Sequence, residues 1–242
     1  MLRRTGTIAS ARYALTDRYG GVSRPPYDAL DLGDHIGDDP AAVSENRRLL
    51  ALELGLDPAS LVFMQQVHGT EVAVVESVPE PGAAPPVADA LVTTTPGLGL
   101  VVLVADCVPV LLAARRSDVV AVAHAGRRGV AAGVVGATVS AMCELGARPD
   151  RVVAVVGPAV CGACYEVPAA MADEVAAVVP SARTTTRAGT PGLDLRAGVV
   201  AQLLAAGVET VEADAWCTAE SRDLYSHRRD GVTGRFAGVV VR

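Results

Sequence analysis

The stretch from Leu98 to Ala114, LGLVVLVADCVPVLLAA, constrains the fold of this chain more than any other segment. A strand exposed on one face alternates apolar with polar residues, whereas one buried on both faces is apolar throughout. Leu98 to Ala105 is of the second kind. Asp106 and Pro109 break the run, and proline disfavours the helical region for the residue before it, so Val108 stays extended. The segment therefore reads as paired buried strands rather than one long helix, and it is not a membrane span. The anomaly is Asp106-Cys107, an ionisable pair set directly after a buried strand. Cys107 is core filler, a nucleophile or a metal ligand.

The remaining pattern mixes strands and helices. Thr5 to Ser23 reads as strand–turn–strand about Tyr19-Gly20-Gly21, and Tyr27 to Gly37 as a loop. Asp39 followed by Pro40 starts a helix that Gly55 stops. Strands are expected at Leu61 to His68, Glu71 to Glu76, Val108 to Ala114, Val119 to Ala125 and Arg151 to Val156, with closing strands at Thr210 to Trp216 and Phe236 to Val241. Helices are expected at Gly129 to Leu145, Pro168 to Val178 and Asp194 to Ala206, and loops at Pro79 to Pro86 and Ala182 to Pro191. The sum is an α+β fold, with mixed and antiparallel β-sheets and flanking helices, as a single domain over residues 1–242. No G-x-G-x-x-G or Walker loop is present, so the nucleotide folds they mark have no support. Aromatic residues make up 3% of the chain, which leaves the core to Val, Leu and Ala.

A formal net charge of −6 argues against a nucleic-acid groove, though not against a local basic cluster. The N-terminus has no apolar signal region, so the default location is the cytoplasm. The five cysteines are odd in number and lie in a long chain with no export signal, which disfavours a disulfide framework. Cys161-Gly-Ala-Cys164 is a lone C-x-x-C, and a zinc ribbon would need a second such pair, so turn cysteines are the plainer reading.

Three soft-to-borderline ligands lie just past apolar runs: His68, Cys107 and His124. If those strands share one sheet edge, the three side chains converge. Two imidazoles and a thiolate are good ligands for zinc, and a fourth position left open marks a catalytic site. The same residues also allow a thiolate–imidazolium pair, with Asp106 orienting the histidine. A multicopper centre uses roughly ten imidazoles, more than the four histidines here, so any copper would be a single ion, with Met64 as a conceivable axial ligand. Gly126-Arg127-Arg128-Gly129 precedes an expected helix and offers an anion-binding N-terminus. Arg47 and Arg48 lie on the first helix, and Arg228 and Arg229 near the C-terminus.

Several phrases in order along the chain then resemble one family. They are GVSRPPYDALDLGDHIGDDPAAVSENRR, QQVHGTEV, DALVTTTPGLGLVVLVADCVPVLL, VAVAHAGRRGV, VGPAVCGACYEV and SHRRDGVTGRFAGVV. The chain is similar over nearly its whole length to the laccase-domain family, also called multicopper polyphenol oxidoreductases. Some members are described as purine nucleoside phosphorylases and others as peptidoglycan editing factors. The resemblance implies a zinc site at His68, Cys107 and His124, with copper as the alternative ion. It also implies phosphorolysis of adenosine, inosine and methylthioadenosine, and deamination of adenosine. On that expectation Cys107, Asp106 and His124 are catalytic, Asp106 as proton shuttle, and Arg47, Arg128 and Arg229 hold phosphate. The partners are a small nucleoside and phosphate, with no nucleic acid and no membrane. The alternatives are a cysteine-type hydrolase or amidase editing peptidoglycan precursors, a single-copper polyphenol oxidase, and a non-catalytic protein whose zinc is closed by Cys161, Cys164 or His227. The chain departs from the family where Arg127 stands for the usual tryptophan and His227 for the frequent tyrosine.

Overall fold

The computed structural model describes residues 1–80 and 82–242. The strands are β1 (Leu2–Ile8), β2 (Ala11–Thr16), β3 (Leu61–Val62), β4 (Val72–Val74), β5 (Ala90–Thr93), β6 (Gly99–Val104), β7 (Val108–Ala114), β8 (Val120–Ala125), β9 (Val152–Val156), β10 (Arg183–Thr185), β11 (Pro191–Leu193), β12 (Thr210–Ala213) and β13 (Phe236–Val241). The helices are α1 (Pro40–Glu53), α2 (Arg127–Ala132), α3 (Val134–Glu144), α4 (Ala169–Val178), α5 (Leu195–Ala205) and α6 (His227–Asp230).

The long apolar run becomes β6 and β7, every residue of both buried, but the two strands belong to different sheets. One sheet has the order β1-β2-β13-β6-β3 and the other β12-β9-β7-β8-β5-β4. They face each other across a core that includes Leu15, Leu100, Val102, Leu111, Val122 and Phe236. Helix α1 covers the outer side of the first sheet through Leu50, Ala51 and Leu54. The helices between β8 and β12 cover the second sheet, with Val130, Val139, Val175 and Val199 in that core. Four layers result, helix–sheet–sheet–helix, which is why β6 and β7 are apolar on both sides. Each fully buried Val or Leu contributes about 1.5–3 kcal/mol relative to exposure. Three strand pairs are parallel (β3–β6, β4–β5 and β9–β12) and the others antiparallel, so the α+β expectation with mixed and antiparallel sheets holds.

The expected start of α1 is present. The Asp39 side chain accepts the Ala41 N–H at 2.9 Å, and Pro40 needs no partner at the first helical position. Five expectations change. The first hairpin turns at Ala9-Ser10, between Ile8 and Ala11, and Tyr19-Gly20-Gly21 lies beyond it. The helix expected over 129–145 is two helices, broken where Gly133 takes φ 94°, a conformation that favours glycine. The expected loop 182–191 instead supplies β10 and the turn of a hairpin with β11, in which Thr184 pairs with Gly192. The strand expected to reach His68 stops at Val62. Strand β5 had no counterpart in the sequence reading. The proline-rich stretch 79–86 includes residue 81, which lies outside the described residues. No described helix is long and apolar enough to cross a membrane.

Candidate metal centre and cavity

The chain leaves one sheet at Val104 and enters the other at Val108, and Asp106 turns it with φ 91°. Cys107 sits at this crossing. Strand β8 pairs with β7 and brings His124 opposite Pro109. His68 arrives on the segment after β3, itself at φ 62°. The donor atoms of His68, Cys107 and His124 all lie within 4.8 Å of one another. Cys107 Sγ is 3.9 Å from His68 Nε2, and the two imidazole rings meet edge to face at 4.7 Å between centroids. Convergence thus occurs, but at a sheet-to-sheet crossing rather than along one sheet edge.

The group that organises this cluster is Asp89, which the sequence reading missed. It is fully buried just before β5. Its Oδ1 lies 2.8 Å from His124 Nδ1 and accepts the His68 backbone N–H at 2.9 Å. Its Oδ2 accepts from Gly69 at 2.6 Å and Val67 at 3.2 Å. One carboxylate therefore orients one imidazole and shapes the backbone that carries the other. With Nδ1 committed to Asp89, His124 turns Nε2 toward Cys107. Asp106, expected as the orienter of a histidine, does not fill that role. A signal for Asp89 existed, since an aspartate directly before the apolar Ala90-Leu91-Val92 is the same anomaly as Asp106-Cys107.

Burial pushes the Cys107 thiol up, but His124 and His68 outweigh it and bring the thiol down to about 6. Burial pushes His124 down, yet Cys107 and Asp89 raise it to about 9. Burial likewise disfavours the Asp89 carboxylate, but His124 and the backbone N–H groups of Gly69 and His68 hold it below its ordinary value. The thiolate and the His124 imidazolium thus stabilise each other, and a cation held by the three donors would take the place of the ring proton. Gly126 completes the fit, because a Cβ there would stand 2.7 Å from His68 Cδ2 and 3.2 Å from Cys107 Sγ. Two imidazole nitrogens and a thiolate match zinc, and they match copper as well.

The cluster opens on a cavity of about 380 Å³. Arg127, Arg228 and Arg235 line it, as do all four histidines of the chain. The expected phosphate-binding arginines lie outside that lining. Arg47 donates through Nε and Nη2 to Leu32 O, pairs with Asp34 at 3.2 Å and stacks on Phe63. Arg229 donates to the carbonyls of Thr218, Ser221 and Leu224 and pairs with Asp230. Arg128 reaches toward Val67 O at 3.5 Å. The helix that follows Gly126 has six residues and no side-chain cap at its start. Met64 is buried and does not line the cavity.

Asp106 lines the cavity, but both of its oxygens are engaged. Oδ1 accepts from Thr218 Oγ1 at 2.6 Å and Ser226 Oγ at 2.7 Å, and Oδ2 accepts the Arg228 N–H at 2.6 Å. The carboxylate ties the Cys107 crossing to the segment that carries Arg228, whose guanidinium lies 5.1 Å from the centre of the Tyr165 ring. Arg127 and His227, where the chain departs from the resembled family, both line the cavity. The C-x-x-C thiols join a different group: Cys161 and Cys164 gather with Cys217 and Glu220.

Residues 12–242 match the family described as multi-copper polyphenol oxidoreductase laccase. A Streptomyces coelicolor protein named a purine nucleoside phosphorylase is 55% identical over 240 residues, covering 99% of each chain. One from Mycobacterium tuberculosis with the same name is 52% identical over 237 residues, covering 98% of this chain and 94% of that one. Among solved structures, YlmD from Geobacillus stearothermophilus superposes with a TM-score of 0.89 at 34% identity, covering 97% of this chain and 92% of that one. A Neisseria meningitidis protein of the DUF152 family gives 0.87 at 35% identity and 98% coverage of both.

Proposed function

This chain belongs to the multi-copper polyphenol oxidoreductase laccase family, and from that premise we propose that it is a zinc-dependent purine nucleoside phosphorylase. The observation that carries the proposal is the three-donor cluster of His68, Cys107 and His124, open on a cavity lined by three arginines. Relatives named purine nucleoside phosphorylases support the substrate class. Inosine, adenosine and methylthioadenosine are the proposed nucleosides, each giving a free base and a pentose 1-phosphate, with hydrolytic deamination of adenosine as a second activity.

When bound, the divalent metal supplies Lewis-acid chemistry, drawing negative charge that develops on the substrate. The protein residues do the rest. Asp89 accepts the His124 Nδ1–H and keeps Nε2 directed at the cluster. Arg127 and Arg228 supply positive charge for the phosphate dianion, and Arg235, whose Nη1 donates to the carbonyls of Thr233 and Gly234, adds to the field from the cavity wall. Asp106 fixes the backbone of Arg228 and is a positioning residue in this scheme rather than a proton shuttle. Tyr165, with Arg228 beside its ring, gives the cavity an apolar wall for a planar base.

A second reading has geometric support too. Cys107, His124 and Asp89 stand in nucleophile–base–orienter order, as in a cysteine-type hydrolase or amidase acting on peptidoglycan precursors. The deciding experiment incubates the metal-replete protein with inosine, with and without phosphate. Phosphorolysis requires phosphate, yields ribose 1-phosphate and is lost on chelation. The amidase reading predicts no turnover of inosine with or without phosphate, and cleavage of a peptidoglycan precursor that survives chelation and is killed by alkylation of the metal-free protein.

A further inference from the structure

Two turns of the same design lie side by side next to the Asp106 crossing, where Thr218 donates to the Asp106 carboxylate and the Val160 N–H to its carbonyl. In the first, the N–H groups of Cys164 and Tyr165 both donate to Cys161 O, at 2.9 and 3.0 Å. In the second, those of Glu220 and Ser221 both donate to Cys217 O, at 3.3 and 2.9 Å. Each turn presents donors at its first and fourth positions, C-x-x-C in one and C-x-x-E in the other. A parallel bridge between Ala159 and Cys217, with Thr218 N–H donating to Ala159 O at 3.1 Å, sets the turns in register. The second pair that the lone C-x-x-C lacked in the sequence is thus present in space, with a carboxylate as its fourth member.

We propose that Cys161, Cys164, Cys217 and Glu220 form a second metal site, a four-ligand structural zinc centre. All four donor atoms lie within 4.8 Å of one another. A tetrahedral zinc with bonds of ~2.3 Å places its sulfurs ~3.8 Å apart, and Cys164 Sγ already lies 3.6 Å from Glu220 Oε1. The Cys161 N–H donates to Cys217 Sγ at 3.3 Å, the backbone contact that steadies a metal-bound thiolate. All three thiols are free. Arg187 holds Glu220 through Oε1 and so orients the carboxylate toward the thiols. The thiolates select zinc over harder cations, and four protein ligands leave no open position, the mark of a structural site.

The centre joins segments far apart in the chain, and both support the cavity. The first turn lies between Val160 and Tyr165, which line the cavity. The second carries Thr218, which holds Asp106, and the carbonyls that hold Arg229. Zinc here braces the cavity wall without entering it, and the inference stands whether or not the His68–Cys107–His124 cluster binds metal.

The test uses full-length Cys107→Ala protein kept reduced, so that the first cluster contributes no thiolate. With cobalt as the probe, thiolate-to-cobalt charge-transfer absorption is expected, saturating at one equivalent per chain. With zinc, one equivalent is retained through gel filtration and chelation lowers Tm. Adding Cys161→Ser and Cys164→Ser abolishes the band and the retained zinc. Reduced Cys107→Ala protein that shows no thiolate–cobalt absorption and keeps no zinc overturns the proposal, and this readout holds even if the triple variant fails to fold.

Discussion

The molecule holds two clusters of soft donors that differ in what surrounds them. His68, Cys107 and His124 offer three donors, a buried carboxylate behind one imidazole and a cavity in front. Cys161, Cys164, Cys217 and Glu220 offer four donors on two matched turns, with side-chain support from Arg187. Three donors beside a cavity leave room for a substrate, whereas four donors close the coordination. Sulfur content therefore does not separate chemistry from architecture in this protein. The free position and the orienting partner do.

Substitutions can break or sharpen that contrast. The largest expected effect is that of Cys107→Ala, which removes metal from the first cluster and reduces phosphorolysis to background with the fold intact, as metal analysis and circular dichroism would show. Asp89→Asn comes next. It sets an amide N–H₂ against backbone donors in a buried position, costing about 1–3 kcal/mol of stability, and metal affinity falls about 10–100-fold. Denaturant unfolding and a competition titration measure the two effects separately. Arg228→Ala leaves the backbone N–H on Asp106 in place and should raise KM for phosphate by about 10-fold or more, with a smaller change in kcat, since a charge-assisted hydrogen bond is worth about 1.5–3 kcal/mol.

The smallest effect lies outside both clusters. Burial pushes the Asp31 carboxyl up to about 6. The folded protein thus binds this proton more tightly than the unfolded chain does. The resulting stability is present at pH values below the unfolded pKa and is lost as pH rises through about 6. Asp31→Asn keeps an oxygen for the N–H groups of Gly33 and Arg235 and should flatten the change in Tm between about pH 4 and 7.

The sequence made the layers legible because burial on both faces leaves an unbroken apolar run, as in β6 and β7. It located His68, Cys107 and His124 as ionisable groups at the ends of apolar runs. It could not show that β6 and β7 belong to different sheets, since a crossing and a hairpin both need one sharp turn, here at Asp106. Asp89 left only a weak signal, an aspartate ahead of a short apolar run, with no second residue at a fixed spacing to mark its role. Which arginines line the cavity was illegible for a related reason. Arg47 and Arg229 spend their guanidinium groups on backbone carbonyls, and only the folded loops show those acceptors. The second cluster escaped because a C-x-x-C was weighed against a second C-x-x-C, while its partner is the C-x-x-E at Cys217, brought alongside by one strand bridge.

The division of labour between the clusters is tested most directly by kcat/KM for inosine phosphorolysis, measured on Cys107→Ala and on Cys161→Ser/Cys164→Ser at a temperature where both are folded. The first variant should fall to background. The second should stay within about tenfold of the unaltered protein, a change of about 1.4 kcal/mol in transition-state stabilisation, while its Tm drops. Retained activity in Cys107→Ala, or an equal collapse of both variants, would contradict the account.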